Sequence, residues 1–492
     1  MPSPVRSKTA SIAIFFVAFL AILLAIHAPY LRLPFFWDEL GQFVPASLDI
    51  HQLGAWIPVT TLPNVHPPAV MAFLALVWKI VGFSIPATRV AMLLIAAAGV
   101  LFSFLLAIRL SRNTAGAPAF AAAIFLIATP MFYTQSMMAQ LDMPAMTFTA
   151  LALLLFLDER IVACAAVCTV LVLVKETALS TPFVFAAWLW LRERRIRESL
   201  YFLAPAFALG VWLIALHHAT GHWLGNDEFA RYNVSDSLQP GHILGTVARR
   251  VYFLFIADGL WIGAITLFIG ARVLRGRDWN IALLVAAAQI LLVSMFGGAQ
   301  LDRYNMPVFP ILYAAIAAAG SVFPSSWRWT TQAALTIALL IGLFWNPPYP
   351  FSFENTLAMT DMVGLQQQAA EYIEERAPDK RIATPWPFSD ALLRPELGYV
   401  HQRLKVERMD DVRTGSLAKL NRANVDVLVV FCRTWALECG GLDSDFARSF
   451  IQRGWGDQKQ ASAEQIKESL GFVPLVKWTR RGQWIEIYVP ER

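Results

Sequence analysis

The stretch "TASIAIFFVAFLAILLAIHAPYL", residues 9–31, is almost uninterrupted apolar sequence, and "PFFWDELGQF", residues 34–43, follows it closely. Roughly 20 apolar residues are enough to cross the hydrocarbon core of a bilayer. The stretch is too long for a signal peptide and no small-residue cleavage site follows it, so we expect a retained first membrane helix. Directly beyond that helix the chain displays two adjacent carboxylates, Asp38 and Glu39.

The overall composition indicates an integral membrane protein. Of the residues, 57% are hydrophobic and 15% are charged, and the mean hydropathy is +0.52, values outside the usual range of soluble proteins. The sequence contains no Gly-rich phosphate loop, Walker motif or Rossmann fingerprint, which excludes a cytosolic nucleotide-using module. We expect no nucleic-acid partner.

Apolar segments predict a polytopic all-α core with about eleven membrane spans, covering residues 1–348 with a first external loop at 32–85. Besides the first helix, the predicted spans are residues 86–110, 118–134, 143–157, 160–174, 177–191, 199–216, 251–272, 279–296, 304–323 and 329–346.

From about residue 350 the composition becomes that of a soluble protein, so residues 349–492 are predicted to form a small α/β domain. Residues 361–377 are typical of a helix and 425–432 of a strand. Residues 472–490 are typical of a hairpin with its turn at Arg481 and Gly482.

The four cysteines permit no disulfide framework. Cys164 and Cys168 lie one helical turn apart in an apolar segment and are expected to be buried thiols. Cys432 and Cys439 lie in the C-terminal domain, where a disulfide can form if that domain is outside the cytoplasm.

The segment 67–82 decides the topology because it is apolar but short, begins with two prolines and contains Lys79. If it does not span and the N-terminus is cytoplasmic, nearly every short Arg-rich loop falls on the cytoplasmic side, as the positive-inside rule requires. These loops are residues 109–112, 158–160, 192–197 and 272–277, together with Arg328. We therefore expect 67–82 to be interfacial or re-entrant and the C-terminal domain to be extracytoplasmic.

This topology places a different set of polar residues on the extracytoplasmic side. Ionisable residues at the rim of a membrane are costly, so their convergence on one face suggests a functional site. The residues expected there are Asp38, Glu39, His66, Asp142, Lys175, Glu176, Arg303 and Tyr304.

Each of these residues has a chemical and a structural interpretation. Asp38 is the candidate general base, the alternative being an acid pair that only solvates a loop. His66, before two prolines, could bind a phosphate or a metal, or be a hydrogen-bonded structural residue. Asp142 lies where a helix should begin and could be only a cap. Lys175 and Arg303 suit a phosphate, with mutual ion pairing as the alternative.

A metal site is weakly suggested by His217, His218 and His222, since two of these share a helical face if the helix continues. Gly221 indicates that the helix ends there, so metal dependence stays open, including the use of a divalent cation.

In this order the motifs resemble those of the polytopic C-type glycosyltransferases, in particular a bacterial branch similar to protein O-mannosyltransferases and to the lipid A aminoarabinose transferase. The resemblance covers roughly residues 1–345. The matching motifs are "WDEL" after the first span, "HPPAVMAFLALVWKIVGFSIPATRVAMLL", "QLDMP", "KET" and "DRYNMPVFPIL". The aminoarabinose branch carries a Lys before Pro-Pro where this chain has His66, which weakens any assignment of that substrate.

The resemblance implies a GT-C type fold and an inverting glycosyltransferase in a bacterial inner membrane. Its donor would be a polyprenyl-phosphate-linked sugar and its extracytoplasmic acceptor a glycolipid, a polysaccharide or a protein. Asp38 would be the base, with Glu39 supporting it or helping to hold a cation, and Lys175 and Arg303 would neutralise the phosphate. The site-lining residues would be His66, Arg89, Asp142, Glu176 and Tyr304.

The alternative is a polytopic transporter or a flippase of lipid-linked sugars. Transporters usually show paired halves and interrupted helices around a midplane site. The sequence shows neither feature, which favours the transferase.

Single-cysteine labelling in a background without the natural cysteines tests the topology. Arg195→Cys should be shielded from an impermeant reagent added outside, because it lies in an Arg-rich loop, whereas Ala230→Cys and Gln460→Cys should react. Labelling of residue 195 from outside with protection of residue 460 would show that segment 67–82 crosses the membrane.

Overall fold

The computed structural model describes residues 4–114, 116, 118–235, 237–296, 301–345, 353–432 and 459–491. By its contacts the chain divides into two compact units. The membrane unit is Met1–Leu31 with Gln42–Leu343, and the C-terminal unit is Arg32–Gly41 with Phe344–Arg492. The short segment that carries Asp38 and Glu39 thus belongs to the C-terminal unit.

The membrane unit is built from α-helices joined by short 3₁₀ and π turns. The α-helices are Pro4–His27, Val44–Leu48, Ala69–Val81, Ile85–Ser111, Ala119–Ala128, Pro130–Gln135, Asp142–Leu157, Ile161–Val174, Ser180–Ala187, Ile196–Ser199, Leu203–Thr220, Asp227–Ala230, Pro240–Phe255, Leu260–Gly270, Arg277–Met295, Phe309–Ala319 and Ser325–Phe344. The short turns are Ala28–Tyr30, Asp49–Leu53, Glu176–Leu179, Trp188–Arg192, Leu200–Phe202, Arg231–Ser235, Ala257–Gly259, Ala271–Val273, Asp302–Val308 and Gly320–Val322. A further π turn, Glu39–Phe43, includes residues of both units.

Five helical segments within the described residues are long and apolar enough to cross a membrane, and a sixth is formed if Pro240–Phe255 and Ala257–Val273, bent by 45°, are one span. The five are Ala10–Tyr30, Ile85–Ser111, Ile196–Thr220, Arg277–Met295 and Asp302–Val322. The mostly helical membrane core is confirmed, whereas the count of eleven spans stays a prediction.

Several predicted spans are broken into shorter pieces. Residues 118–134 form two helices because Pro130 has no N–H to continue the first of them. The ambiguous segment 67–82 forms the helix Ala69–Val81 of 13 residues, which is about 20 Å long at the usual rise. That length is less than the roughly 30 Å hydrocarbon thickness. The helices Ala119–Ala128 and Ile161–Val174, which lie in predicted spans, are of similar length, so the non-spanning interpretation stays a prediction.

Helix Ile85–Ser111 lies at the centre of the membrane unit and contacts Pro4–His27, Ala119–Ala128, Asp142–Leu157 and Phe309–Ala319. The absence of a side chain at Gly99 allows one of these helices to come close, since a Cβ there would lie 2.6 Å from the Thr147 hydroxyl. Small residues permit such close approaches between membrane helices. This contact fixes the helix whose first residue is Asp142.

The C-terminal unit contains a five-stranded sheet of β1 (Arg381–Pro385), β2 (Lys405–Met409), β3 (Val427–Cys432), β4 (Phe472–Arg480) and β5 (Gln483–Pro490) in the order β2-β1-β3-β5-β4. Strand β1 pairs in parallel with β2 and β3, and β5 pairs antiparallel with β3 and β4. The helices and 3₁₀ turns of this unit are Phe353–Asn355, Ala358–Arg376, Phe388–Leu393, Pro395–Leu397, Thr414–Leu417, Arg422–Asn424 and Ala463–Leu470.

The secondary structure predicted for the C-terminal domain is confirmed for the described residues. Hairpin β4–β5 turns at Arg481 and Gly482, which have φ angles of 44° and 83°. Positive φ at both central residues is what a tight two-residue hairpin turn requires. The predicted strand 425–432 is β3, and the predicted helix 361–377 is Ala358–Arg376.

The cysteines also follow expectation where the structure describes them. Cys164 and Cys168 are buried free thiols, and Cys432 is disulfide-bonded. Cys439, the expected partner, lies outside the described residues.

Candidate functional site

A buried carboxylate shared by two cations is the main polar feature of the membrane unit. Asp142 is the first residue of the helix Asp142–Leu157, and its Oδ1 lies 2.5 Å from Lys175 Nζ. Its Oδ2 accepts a hydrogen bond of 2.9 Å from Arg303 Nε. All three residues are buried. The N-cap of this helix is Leu141 and not Asp142, so the contacts of Asp142 favour ion pairing over the simple helix cap.

The chain brings these three residues together from three separate elements. Lys175 directly follows the helix Ile161–Val174 in an extended conformation, with φ −153° and ψ 124°. Arg303 lies in the 3₁₀ turn Asp302–Val308. Each polar residue therefore sits at a helix end, where the helical backbone stops and a side chain can turn inward.

Tyr304 forms a wall of the same cluster. Its ring centroid lies 4.0 Å from Lys175 Nζ and 5.8 Å from the guanidinium carbon of Arg303. Arg250 approaches the ring to 5.7 Å. Cations over an aromatic face are stabilised by the ring quadrupole, so the tyrosine keeps three buried cations near one another.

Arg250 is a member of the cluster that the sequence analysis missed. Its Nη2 donates to the Val293 carbonyl at 2.7 Å and its Nη1 to the Leu301 carbonyl at 3.3 Å. Its buried Nε has no hydrogen-bond partner among the described residues. The predicted span begins at residue 251, so Arg250 falls in a predicted loop outside the span. The sequence feature that could have identified it is the pair of adjacent arginines within "TVARRVYFLF".

The neighbouring arginine is neutralised separately. Arg249 donates to both carboxylate oxygens of Asp302, at 3.0 and 2.9 Å. Such a bidentate pair is among the strongest side-chain interactions. Arg249 therefore adds no excess charge to the cluster.

One buried cation of the cluster has no ion pair among the described residues. Arg250 donates to the Val293 and Leu301 carbonyls and lies 3.4 Å from Asn305 Oδ1. Buried charge without a counter-ion is costly. An anion placed beside Arg250 and the Asp142 ion pairs would therefore be stabilised.

His66 is paired with the residue next to Lys175. A hydrogen bond of 2.9 Å joins His66 Nδ1 to Glu176 Oε2. Burial alone would raise the pKa of Glu176, but the charge and hydrogen bond of His66, with Lys175 nearby, hold that pKa below its usual value. The pair links the proline-flanked loop to the "KET" turn.

The loop before His66 is held by two further contacts. The backbone N–H of His66 donates to Asn64 Oδ1 at 3.1 Å. The indole N–H of Trp212 donates to the Val65 carbonyl at 2.8 Å. The aromatic rings of Phe43 and Phe229 lie against the imidazole. These contacts fix the direction in which His66 points.

Arg89 has a supporting position. It is fully buried, and its Nη1 donates to the Met137 carbonyl at 3.0 Å. Met137 lies in the segment that leads into the helix of Asp142. Arg89 therefore helps to fix the entry to that helix.

Asp38 and Glu39 lie in the C-terminal unit. Glu39 is buried, and its Oε2 accepts a 3.1 Å hydrogen bond from the Phe36 backbone N–H. Asp38 is half-buried, which leaves its side chain partly accessible. The preceding Trp37 has a φ of 56°, a region that bulky side chains rarely occupy.

The histidines suggested for a metal have other contacts. His222 Nδ1 lies 2.8 Å from Asp227 Oδ1, and the His217 ring stacks on Trp223 at 4.3 Å. Across the described ranges, no group of three or more His, Cys, Asp or Glu side chains is arranged to hold a metal ion. Metal use by this chain stays open.

The fold has counterparts among solved structures. ArnT from Cupriavidus metallidurans bound to undecaprenyl phosphate is 15% identical, with a TM-score of 0.57 over 96% of this chain and 97% of that one. Its apo form is 14% identical, with a TM-score of 0.59 over 98% of each chain. The oligosaccharyltransferase AglB from Archaeoglobus fulgidus, in complex with an inhibitory peptide and a dolichol-phosphate, is 12% identical, with a TM-score of 0.48 over 95% and 74%. No family profile and no curated sequence matches the chain.

The chain therefore has the fold of the C-type glycosyltransferases. The resemblance indicated by the sequence motifs is confirmed at the level of the fold. Both the sequence-based prediction and the structure have a mostly helical membrane core with a small C-terminal sheet.

Proposed function

We propose that this protein is an inverting glycosyltransferase that moves one sugar from a polyprenyl-phosphate carrier to an extracytoplasmic acceptor. The observation that carries the proposal is the group of buried cations around Asp142, which are Lys175, Arg250 and Arg303. A phosphodiester is the anion that a membrane-embedded donor of this class would present. The GT-C fold supports the same conclusion.

In this proposal Lys175, Arg303 and Arg250 bind the donor phosphate. Lys and Arg are well suited to phosphate oxygens, and charge-assisted hydrogen bonds are the stronger ones. Asp142 holds Lys175 and Arg303 in place before the donor arrives. As the glycosidic bond breaks, negative charge grows on the phosphate, so preorganised cations stabilise the transition state more than the ground state.

Asp38 acts as the general base. It accepts the proton of the acceptor hydroxyl, and the hydroxyl oxygen attacks the anomeric carbon from the face opposite the phosphate. The bond from the anomeric carbon to the phosphate oxygen breaks, and the polyprenyl phosphate leaves with the bonding electron pair. A single displacement inverts the anomeric configuration.

Glu39 supports this step through its own loop. Its carboxylate is occupied by the Phe36 amide, which suits a residue that stabilises the turn.

The reaction is assigned to the outer face of a bacterial inner membrane, with a cytoplasmic N-terminus and an extracytoplasmic C-terminal domain. The disulfide-bonded state of Cys432 supports this side, because disulfides persist in oxidising compartments. The acceptor is a glycolipid, a polysaccharide or a protein.

Purified protein in proteoliposomes, given radiolabelled polyprenyl-phosphate sugar and a cell-envelope extract, separates this function from that of a transporter or flippase. The proposal expects label to leave the carrier and enter an envelope acceptor. Movement of intact carrier between leaflets, with no cleavage of the sugar–phosphate bond, would instead establish the flippase.

Replacement of the base should abolish most turnover. Asp38→Asn preserves size and hydrogen bonding but removes the proton acceptor, so kcat should fall by about 10²- to 10⁴-fold. The matched control is Asp379→Asn, whose carboxylate is 94% exposed in the C-terminal unit and which should keep full activity. Undiminished turnover by Asp38→Asn would remove Asp38 from this role.

Removal of the phosphate-binding charges should impair use of the donor. Lys175→Met and Arg303→Met should each lower kcat/KM for the donor by about 10- to 100-fold, the usual effect of losing a hydrogen bond to a charged group. Lys79→Met, at an exposed position of the same unit, is the control. If all three variants use the donor equally well, the cluster does not bind the phosphate.

A further inference from the structure

The C-terminal unit holds the loop that carries Asp38. We infer that it positions this residue for catalysis, with Tyr399 and Trp386 as positioning residues, an inference that rests on the proposed function. The soluble domain would then be a working part of the transferase, because its residues Tyr399 and Trp386 set the geometry of the base.

Backbone hydrogen bonds anchor the start of the loop. The Phe35 N–H donates to the Leu397 carbonyl at 3.2 Å, and the Tyr399 hydroxyl donates to the Phe35 carbonyl at 3.0 Å. Both backbone groups of Phe35 are thus bound by a single short segment of the domain. The side chains of Phe35 and Phe36 are fully buried, which excludes water from these bonds.

Trp386 contacts the loop on both sides of Asp38. Its ring centroid lies 4.8 Å from that of Trp37 in an edge-on arrangement. On the other side, a Cβ at Gly41 would lie only 2.6 Å from its Nε1. One indole therefore fixes the position before Asp38 and a position three residues after it.

The loop needs this support because its conformation is unfavourable. Trp37 adopts a φ of 56°, and sparsely populated backbone conformations persist only where the surroundings over-determine them. The contacts hold the Asp38 carboxylate in a defined position, which matters because a general base must lie within hydrogen-bond reach of the proton that it removes. Small displacements of such a group cost large factors in rate.

Tyr399→Phe tests the inference by removing a single hydroxyl. We expect amide hydrogen exchange in residues 34–41 to accelerate about five-fold, the effect of losing one ordinary hydrogen bond. We expect kcat to fall about three- to ten-fold while KM for the donor is unchanged, because the phosphate-binding residues are not altered.

The control is Tyr488→Phe, which removes a hydroxyl from another buried tyrosine of the same unit, one that donates to Glu486. It should leave both the loop exchange and kcat unchanged. If both tyrosine variants lower kcat in proportion to their loss of thermal stability, the domain acts only through general stability and the inference is wrong.

Gly41→Ala is a second, independent variant that leaves the domain intact and pushes a methyl group against Trp386. It should also lower kcat at constant donor KM, and Trp386→Phe, with its smaller ring, should partly restore kcat when combined with it. Unchanged loop exchange and unchanged kcat in both Tyr399→Phe and Gly41→Ala would overturn the inference. If Asp38→Asn is inactive but Tyr399→Phe and Gly41→Ala keep the kcat of the unaltered protein, only the positioning role of the C-terminal unit is wrong. If Asp38→Asn is fully active, the proposed function itself is wrong.

Discussion

The buried carboxylate of Asp142, shared by Lys175 and Arg303, is the interaction on which the membrane unit depends. Each charge taken from water costs several kcal/mol unless it is paired, so the three residues must meet or remain solvated. This requirement explains why three separate elements meet here: the start of helix Asp142–Leu157, the end of helix Ile161–Val174 and the 3₁₀ turn Asp302–Val308. Arg250 and Tyr304 join them, and Arg250 has no ion pair among the described residues.

The acidic loop, residues 34–41, is likewise held in place by specific contacts. Its turn is closed by Glu39, and the C-terminal unit binds it through Tyr399 and Trp386. Within the "WDEL" motif Glu39 is buried and stabilises the turn, whereas Asp38 is half-buried. Under the proposed function the two adjacent acids have different tasks, because Glu39 shapes the turn and Asp38 acts as the base.

Much of this could be predicted from local sequence, because the first helix, the Arg481–Gly482 turn and the strand β3 depend on nearest neighbours along the chain. The partners of Asp142 could not, since helix-start acids usually cap their own helix and only tertiary contacts show otherwise. Arg250 was missed because the hydrophobic pattern placed a span boundary after it. The eleven spans stay a prediction because breaks such as Pro130 shorten helices that hydropathy reads as continuous.

A structure determined with polyprenyl phosphate bound would show whether the cluster around Asp142 binds the carrier phosphate. We expect phosphate density within hydrogen-bond distance of Lys175 Nζ and the Arg303 guanidinium, with Arg250 turned toward it. Phosphate bound elsewhere, while Lys175 and Arg303 keep their contacts to Asp142 unchanged, would show that the cluster has only a structural role.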